Sequence, residues 1–266
     1  MISRLPGLSL PERAWGVVRR WALAWWRILY LGAVVCVLVL SPSSYGKVTR
    51  RALARHLYLD TAPVLLGFTV LAALISLVLT RIVVVTAISY GLSRYALEMV
   101  IRVLVLELIP LTAALFVAMR CTIPNGTQLA LLRQSGHLAR LSHAGADPIR
   151  VELLPRAVAG VFACITLAAL SCVVALVLAY LGVYGFSLAG LPSYTRMFGH
   201  VFAPAVTLVF VIKTVLFSLA VALIPMAAGL YDTGERTQPD SELGGLARMF
   251  AVLLLIEIGS LVGNYY

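Results

Sequence analysis

The sequence predicts an all-α polytopic membrane protein, with an N-terminal interfacial helix followed by five transmembrane helices. Three observations predict it. Of 266 residues, 61% are apolar and 12% charged, with a mean hydropathy of +0.98, too little charge to cover the surface of a soluble domain. Several runs approach or exceed the ~20 mostly apolar residues that a spanning helix needs. Sixteen of the 21 Lys and Arg gather in three segments, with nine in 1–60, five in 120–156 and two in 229–248, as cytoplasmic segments that fix orientation do. The net charge of +10 is therefore read as topology, and no nucleic-acid partner is expected.

The N-terminal unit, residues 1–60, begins by interleaving Arg4, Arg13, Arg19, Arg20 and Arg27 with Trp15, Trp21, Trp25 and Trp26. Basic residues among tryptophans suit a helix lying in the headgroup layer. Met1–Arg20 has no compact apolar core or small-residue cleavage site, so it is not expected to be a secretory signal. Ile28–Leu40 is apolar for 13 residues, about 20 Å of helix, which is short of the bilayer core. It could span only by borrowing Trp21–Arg27, so an interfacial or re-entrant segment is the reading that follows, and the basic stretch Lys47–His56 then returns the chain to the surface.

Residues 61–266 hold the five expected spans. Four are the apolar segments 61–89, 96–119, 156–182 and 201–228; the fifth, 248–263, carries Glu257. Five crossings place all three basic segments in the cytoplasm, with the N-terminus inside and Asn264-Tyr265-Tyr266 outside. No repeat or soluble domain interrupts them, so a nucleotide-binding fold has no room. Cys36, Cys121, Cys164 and Cys172 lie in or beside apolar runs without metal-ligand spacing, and read as small packing residues. His56, His137, His143 and His200 are scattered, and no Ser/His/Asp or HExxH arrangement exists. No catalytic or metal site is expected.

The loop Arg120–Arg156 holds an amphipathic segment over about 128–144. Leu131, Leu138 and Leu141 recur at helical spacing, with Arg133, His137 and Arg140 on other faces. Such a helix either packs on the bilayer surface or docks a cytoplasmic partner, and its pattern does not choose between them.

The same stretch carries a resemblance. Glu107-Leu108-Ile109-Pro110, Arg120, Leu132-Arg133, Asp147-Pro148-Ile149-Arg150 and Pro155-Arg156 follow in register without a gap. Val211-Ile212-Lys213-Thr214-Val215-Leu216-Phe217 and Leu255-Ile256-Glu257-Ile258-Gly259 continue it. Together they resemble the MlaE/YrbE permeases, which work with MCE-domain proteins. The resemblance implies an MlaE-like permease fold in the bacterial inner membrane, forming half of a dimer with a second copy or a paralogue. It also implies a cytoplasmic ABC ATPase, which would carry the ATP and Mg, docked on the coupling helix 128–144. There Leu131, Arg133, Leu138, Arg140, Leu141, Asp147 and Arg150 are the contact candidates. An MCE hexamer would meet the other face, and the cargo would be a phospholipid or a related lipid. Departures are concentrated in the coupling region: Gln128, Gly136 and Ser142 stand where the family has acidic residues, His137 where it has glutamine, and Leu106 where it has arginine.

Charged side chains at bilayer depth are costly and so face a bundle interior or a wet cavity. The substrate-cavity candidates are Arg81, Arg102, Glu107, Lys213 and Glu257. Glu98 and Arg102, four apart, can pair on one helix face. Arg81 has no acid nearby in sequence, and it either snorkels to the interface or meets a lipid phosphate. Lys213 and Glu257 are the lone central charges of the last two spans. They are expected to neutralise each other, as a lock between helices or as part of a lipid cavity.

Overall fold

The computed structural model describes residues 10–42, 46–231 and 239–265, and all of its regular secondary structure is helical. Arg4, residues 232–238 and Tyr266, and the side chains of Arg13, Trp15, Arg20 and Tyr265, lie outside what is described. Ten α-helices follow in order: α1 Leu10–Leu40, α2 Lys47–Ser89, α3 Ser93–Val100, α4 Ile109–Val117, α5 Ile123–Gln134, α6 His137–His143, α7 Leu154–Tyr184, α8 Leu191–Val201, α9 Pro204–Tyr231 and α10 Pro239–Tyr265.

Among the described residues, six stretches are long and apolar enough to cross a bilayer, the five expected and one more: Trp21–Leu40, Thr49–Ser89, Tyr95–Gln134, Ile149–Tyr184, Pro204–Tyr231 and Gly244–Asn264. The addition is α1. Its helix runs unbroken through the tryptophans, so the 13-residue apolar run gains Trp21–Arg27 and reaches 20 residues. Leu31, Val35 and Leu38, spaced four and three apart, are buried with Leu223, Met226 and Ala227 of α9. Trp21 and Trp26 remain exposed.

Two helices are longer than any bilayer core. α2 has 43 residues, about 65 Å, against ~30 Å of hydrocarbon. The basic stretch Lys47–His56 is therefore the first part of the same rod as the span, not a separate surface segment. Likewise Ser93–Gln134 is one continuous helix, with α3, α4 and α5 joined by π-helical turns at Ile101–Leu108 and Ala118–Thr122. Each turn lies just before a proline, Pro110 or Pro124. The wider turn accommodates the ring and the missing N–H where a regular helix would clash.

α7 is the centre of the bundle. Ala159, Gly160, Ala163, Cys164, Leu167, Ala168, Ser171, Ala175 and Ala179 form its buried side, a stripe of small residues that lets neighbouring backbones approach closely. A Cβ on Gly160 would lie 2.8 Å from Thr122 Cγ2. The tightest crossing is between α5 and α9. A Cβ on Gly126 would sit 2.6 Å from the Pro225 carbonyl oxygen, and one on Gly229 would strike the Gly126 carbonyl. At the opposite end, the Tyr194 hydroxyl of α8 donates to Leu176 O at 2.9 Å. Burial pushes this phenol up to about 12, so it stays a donor.

Candidate functional site

Lys213 anchors the site. It lies in the first half of α9 and is only 2% exposed. Its ammonium pairs with Glu107 Oε2 and, at 2.9 Å, with Glu257 Oε2, and it donates to the Leu106 carbonyl at 3.3 Å. The Phe217 ring, one turn on, lies 5.7 Å from Nζ. Asn264 Nδ2 donates to the other oxygen of Glu107 at 3.3 Å. The pairing expected between Lys213 and Glu257 is present, and Glu107 is its third member. Three helical segments remote in sequence are thereby tied at membrane depth, where a lone charge would cost at least a few kcal/mol.

Glu107 arrives through the π-helical segment 101–108. Along this segment Leu104 and Leu108 face a cavity of about 190 Å³, lined also by Phe68 and Ile75 of α2 and by Thr112 and Met119. The lining is almost wholly apolar, and Thr112 spends its hydroxyl on Leu108 O at 2.8 Å. One short segment thus separates an apolar pocket from an ion cluster.

The remaining two cavity candidates stand apart from it. Arg102 Nε meets Glu98 at 3.0 Å, the pair expected from the four-residue spacing. Arg81 is exposed on α2. Neither lines the pocket.

The cytoplasmic candidates are distributed differently from the expected single helix. Gly136, with φ of +71°, breaks the 128–144 segment into the end of α5 and the short α6. Leu131 is 62% exposed, whereas Leu138 packs against the cluster around Leu31, Leu153 and Leu154. Leu141 is half-buried. Arg133 Nη1 donates to the Leu230 carbonyl at 3.0 Å, which satisfies a terminal acceptor of α9. Arg140 reaches Ser135 O at 3.4 Å. Asp147 accepts from the Ile149 N–H at 3.0 Å and lies 3.6 Å from Arg150, both side chains being about half exposed.

A second polar network underlies this surface and was not anticipated. Arg156 of α7 binds Glu152 at 2.5 Å, and His137 of α6 lies 3.6 Å from the same carboxylate. Asn125 of α5 donates to Asp60 of α2 at 3.0 Å, and the Cys121 thiol donates to the Asp60 carbonyl at 3.2 Å. The four-residue spacing of Glu152 and Arg156 was a readable signal. The contacts of Asp60 and His137 join separate elements and left none.

The comparisons with known proteins agree with this architecture. The family described as Permease MlaE matches residues 53–261. No curated protein matches the chain. The matched region contains the ion cluster, the apolar pocket and the α5–α6 surface.

Proposed function

This chain belongs to the Permease MlaE family, and on that premise we propose that it is the membrane subunit of an ABC transporter for phospholipid or a related lipid. The lipid would pass between the bacterial inner membrane and a periplasmic MCE-domain protein. The family match over residues 53–261 carries the proposal, and the apolar pocket between α2 and the 104–119 stretch supports it. That pocket has the chemistry of an acyl-chain site, with polar recognition left to groups outside it. ATP hydrolysis would belong to a separate ATPase subunit, a second permease chain would complete the membrane unit, and α5–α6 would be the docking surface.

The orientation proposed is a cytoplasmic 120–156 segment and a periplasmic C-terminus. α1 decides the other end. Lying in the interface it leaves the N-terminus inside, as the basic composition of 1–27 favours; crossing, it would place that terminus outside. An alkaline phosphatase fusion after Tyr266 is expected to be active, and one before Met1 inactive.

The deciding experiment is purification from membranes followed by reconstitution. ATP-dependent transfer of a labelled phospholipid to or from an MCE partner, lost with Leu131→Glu, supports the reading. Leu131 is the better probe because Leu138 also packs on the core. Co-purification without an ATPase would overturn it.

A second reading rests on the coupling region. Gly136 and Ser142 supply no charge there, and His137 lies 3.6 Å from Glu152 of the same chain. These features favour a non-transporting partner in a heterodimer. Two distinct permease chains in the purified complex would select this reading, and two identical ones would exclude it.

A further inference from the structure

The intramembrane cluster is short of one positive charge and of hydrogen-bond donors. Glu107 and Glu257 bring two carboxylates, and Lys213 brings one ammonium. No second base lies within ion-pair distance of either acid among the described residues. The neighbouring Glu98–Arg102 pair is neutral within itself. From α7 the cluster's surroundings receive Cys172, whose thiol is turned to the Val105 carbonyl at 3.7 Å.

The donor count gives the same answer independently. An ammonium has three N–H donors, and Lys213 gives hydrogen bonds to Glu107 and to Leu106 O; Glu257 Oε2 lies 2.9 Å away as an ion pair, yet that buried oxygen has no hydrogen-bond partner among the described residues. Asn264 uses its amide N–H on Glu107, while its own Oδ1 is buried without a hydrogen-bond partner among the described residues. Ser260 is 6% exposed, and its hydroxyl is likewise buried and unpartnered. Glu257, Ser260 and Asn264 stand three and four apart, on one side of α10, and Asn264 meets the cluster directly through Glu107.

From the excess charge and the missing donor together, we propose that Lys213, Glu107 and Glu257 form an intramembrane proton site, holding one proton on its two carboxylates at neutral pH. The proton makes the cluster electrically neutral and turns one carboxylate oxygen into an O–H donor. Asn264 Oδ1, Ser260 Oγ or the other carboxylate can then accept. A metal cation would supply charge but no donor, and it would stand beside the Lys213 ammonium. This site rests on the membrane placement of the three helices and not on lipid transport.

The test is infrared spectroscopy of the full chain, with whatever subunits co-purify, in lipid nanodiscs at neutral pH. The parent is expected to show a carbonyl band of a protonated carboxyl, shifted by deuterium. Glu107→Gln or Glu257→Gln is expected to remove the intensity of one carboxyl. Either single change keeps the cluster neutral and is expected to retain the parent's yield and melting temperature. The double change leaves Lys213 unpaired and is expected to lose both. Where a variant does not fold, carbon-13 labelling of glutamate in the parent decides, because Glu carboxyls then shift and Asp60 does not. Four results each overturn the proposal. These are a band that neither single variant reduces, a band that glutamate labelling leaves in place, single variants as unstable as the double, and a parent stabilised by sodium over choline.

Discussion

Two ion clusters among the described residues both pair glutamate with basic side chains, and they are built in opposite ways. Beside α6, Glu152 and Arg156 are neighbours on one helical turn, and His137 adds a third contact at 3.6 Å. Within the membrane, Lys213 meets acids 106 positions earlier and 44 positions later in the chain. Local pairs form with the helix itself, before other helices pack against it. The distant pairs exist only once three helices have assembled, and hydrocarbon offers no substitute. The membrane cluster therefore reports tertiary assembly, and the one beside α6 chiefly local structure.

That contrast sets the largest expected effect. Lys213→Met removes the single cation shared by Glu107 and Glu257, a change of the order of 3–5 kcal/mol for a buried pair that loses one member. Folded yield in membranes is expected to collapse. Adding Glu257→Leu to it is expected to recover part of the yield, because one uncompensated acid goes with it. A double mutant that is simply additive would show that the two side chains are not coupled.

Next in size is the backbone contact between α5 and α9. Gly126→Val places side-chain atoms where the Pro225 carbonyl now sits, an overpacking of about 1–3 kcal/mol. A lower melting temperature with retained membrane insertion is the expected result, and an unchanged one would mean that the two helices part without cost. Arg156→Met comes third. It strips Glu152 of its closest partner, yet His137 and solvent can take up part of the loss. A drop of about 1–2 kcal/mol, clearly below that of Lys213→Met, is expected. If the two were equal, the distinction between the clusters would fail.

How much of this was legible follows from the same physics. Lone charges in apolar spans announce partners, so Lys213 and Glu257 could be paired from sequence. Glu107 could be flagged but not placed, because the π-helical turn at 101–108 changes the direction in which successive side chains leave the axis. The apolar run Ile28–Leu40 could reach spanning length only with Trp21–Arg27, and hydropathy does not say whether one helix joins them, as α1 does. Ser135-Gly136 was a readable break in the amphipathic segment, and Gly136 adopts the left-handed geometry that favours glycine. The approach of His137 to Glu152 is set by the packing of α6 and had no local sign.

The smallest effect is expected at Arg150, and it separates stability from docking. Arg150 belongs to the Asp147-Pro148-Ile149-Arg150 stretch that carries the family resemblance, yet it lies 3.6 Å from a half-exposed Asp147. Exposed pairs of this kind contribute about 0–1 kcal/mol, and Asp147 keeps its bond to the Ile149 N–H without the arginine. Arg150→Ala is therefore expected to leave the melting temperature of the chain almost unchanged. A loss of ATPase co-purification in the same variant would then have no structural cause within the chain, and it would assign the guanidinium to the docking contact. A matching fall in stability would instead place Arg150 with Arg156, as part of the scaffold beneath that surface.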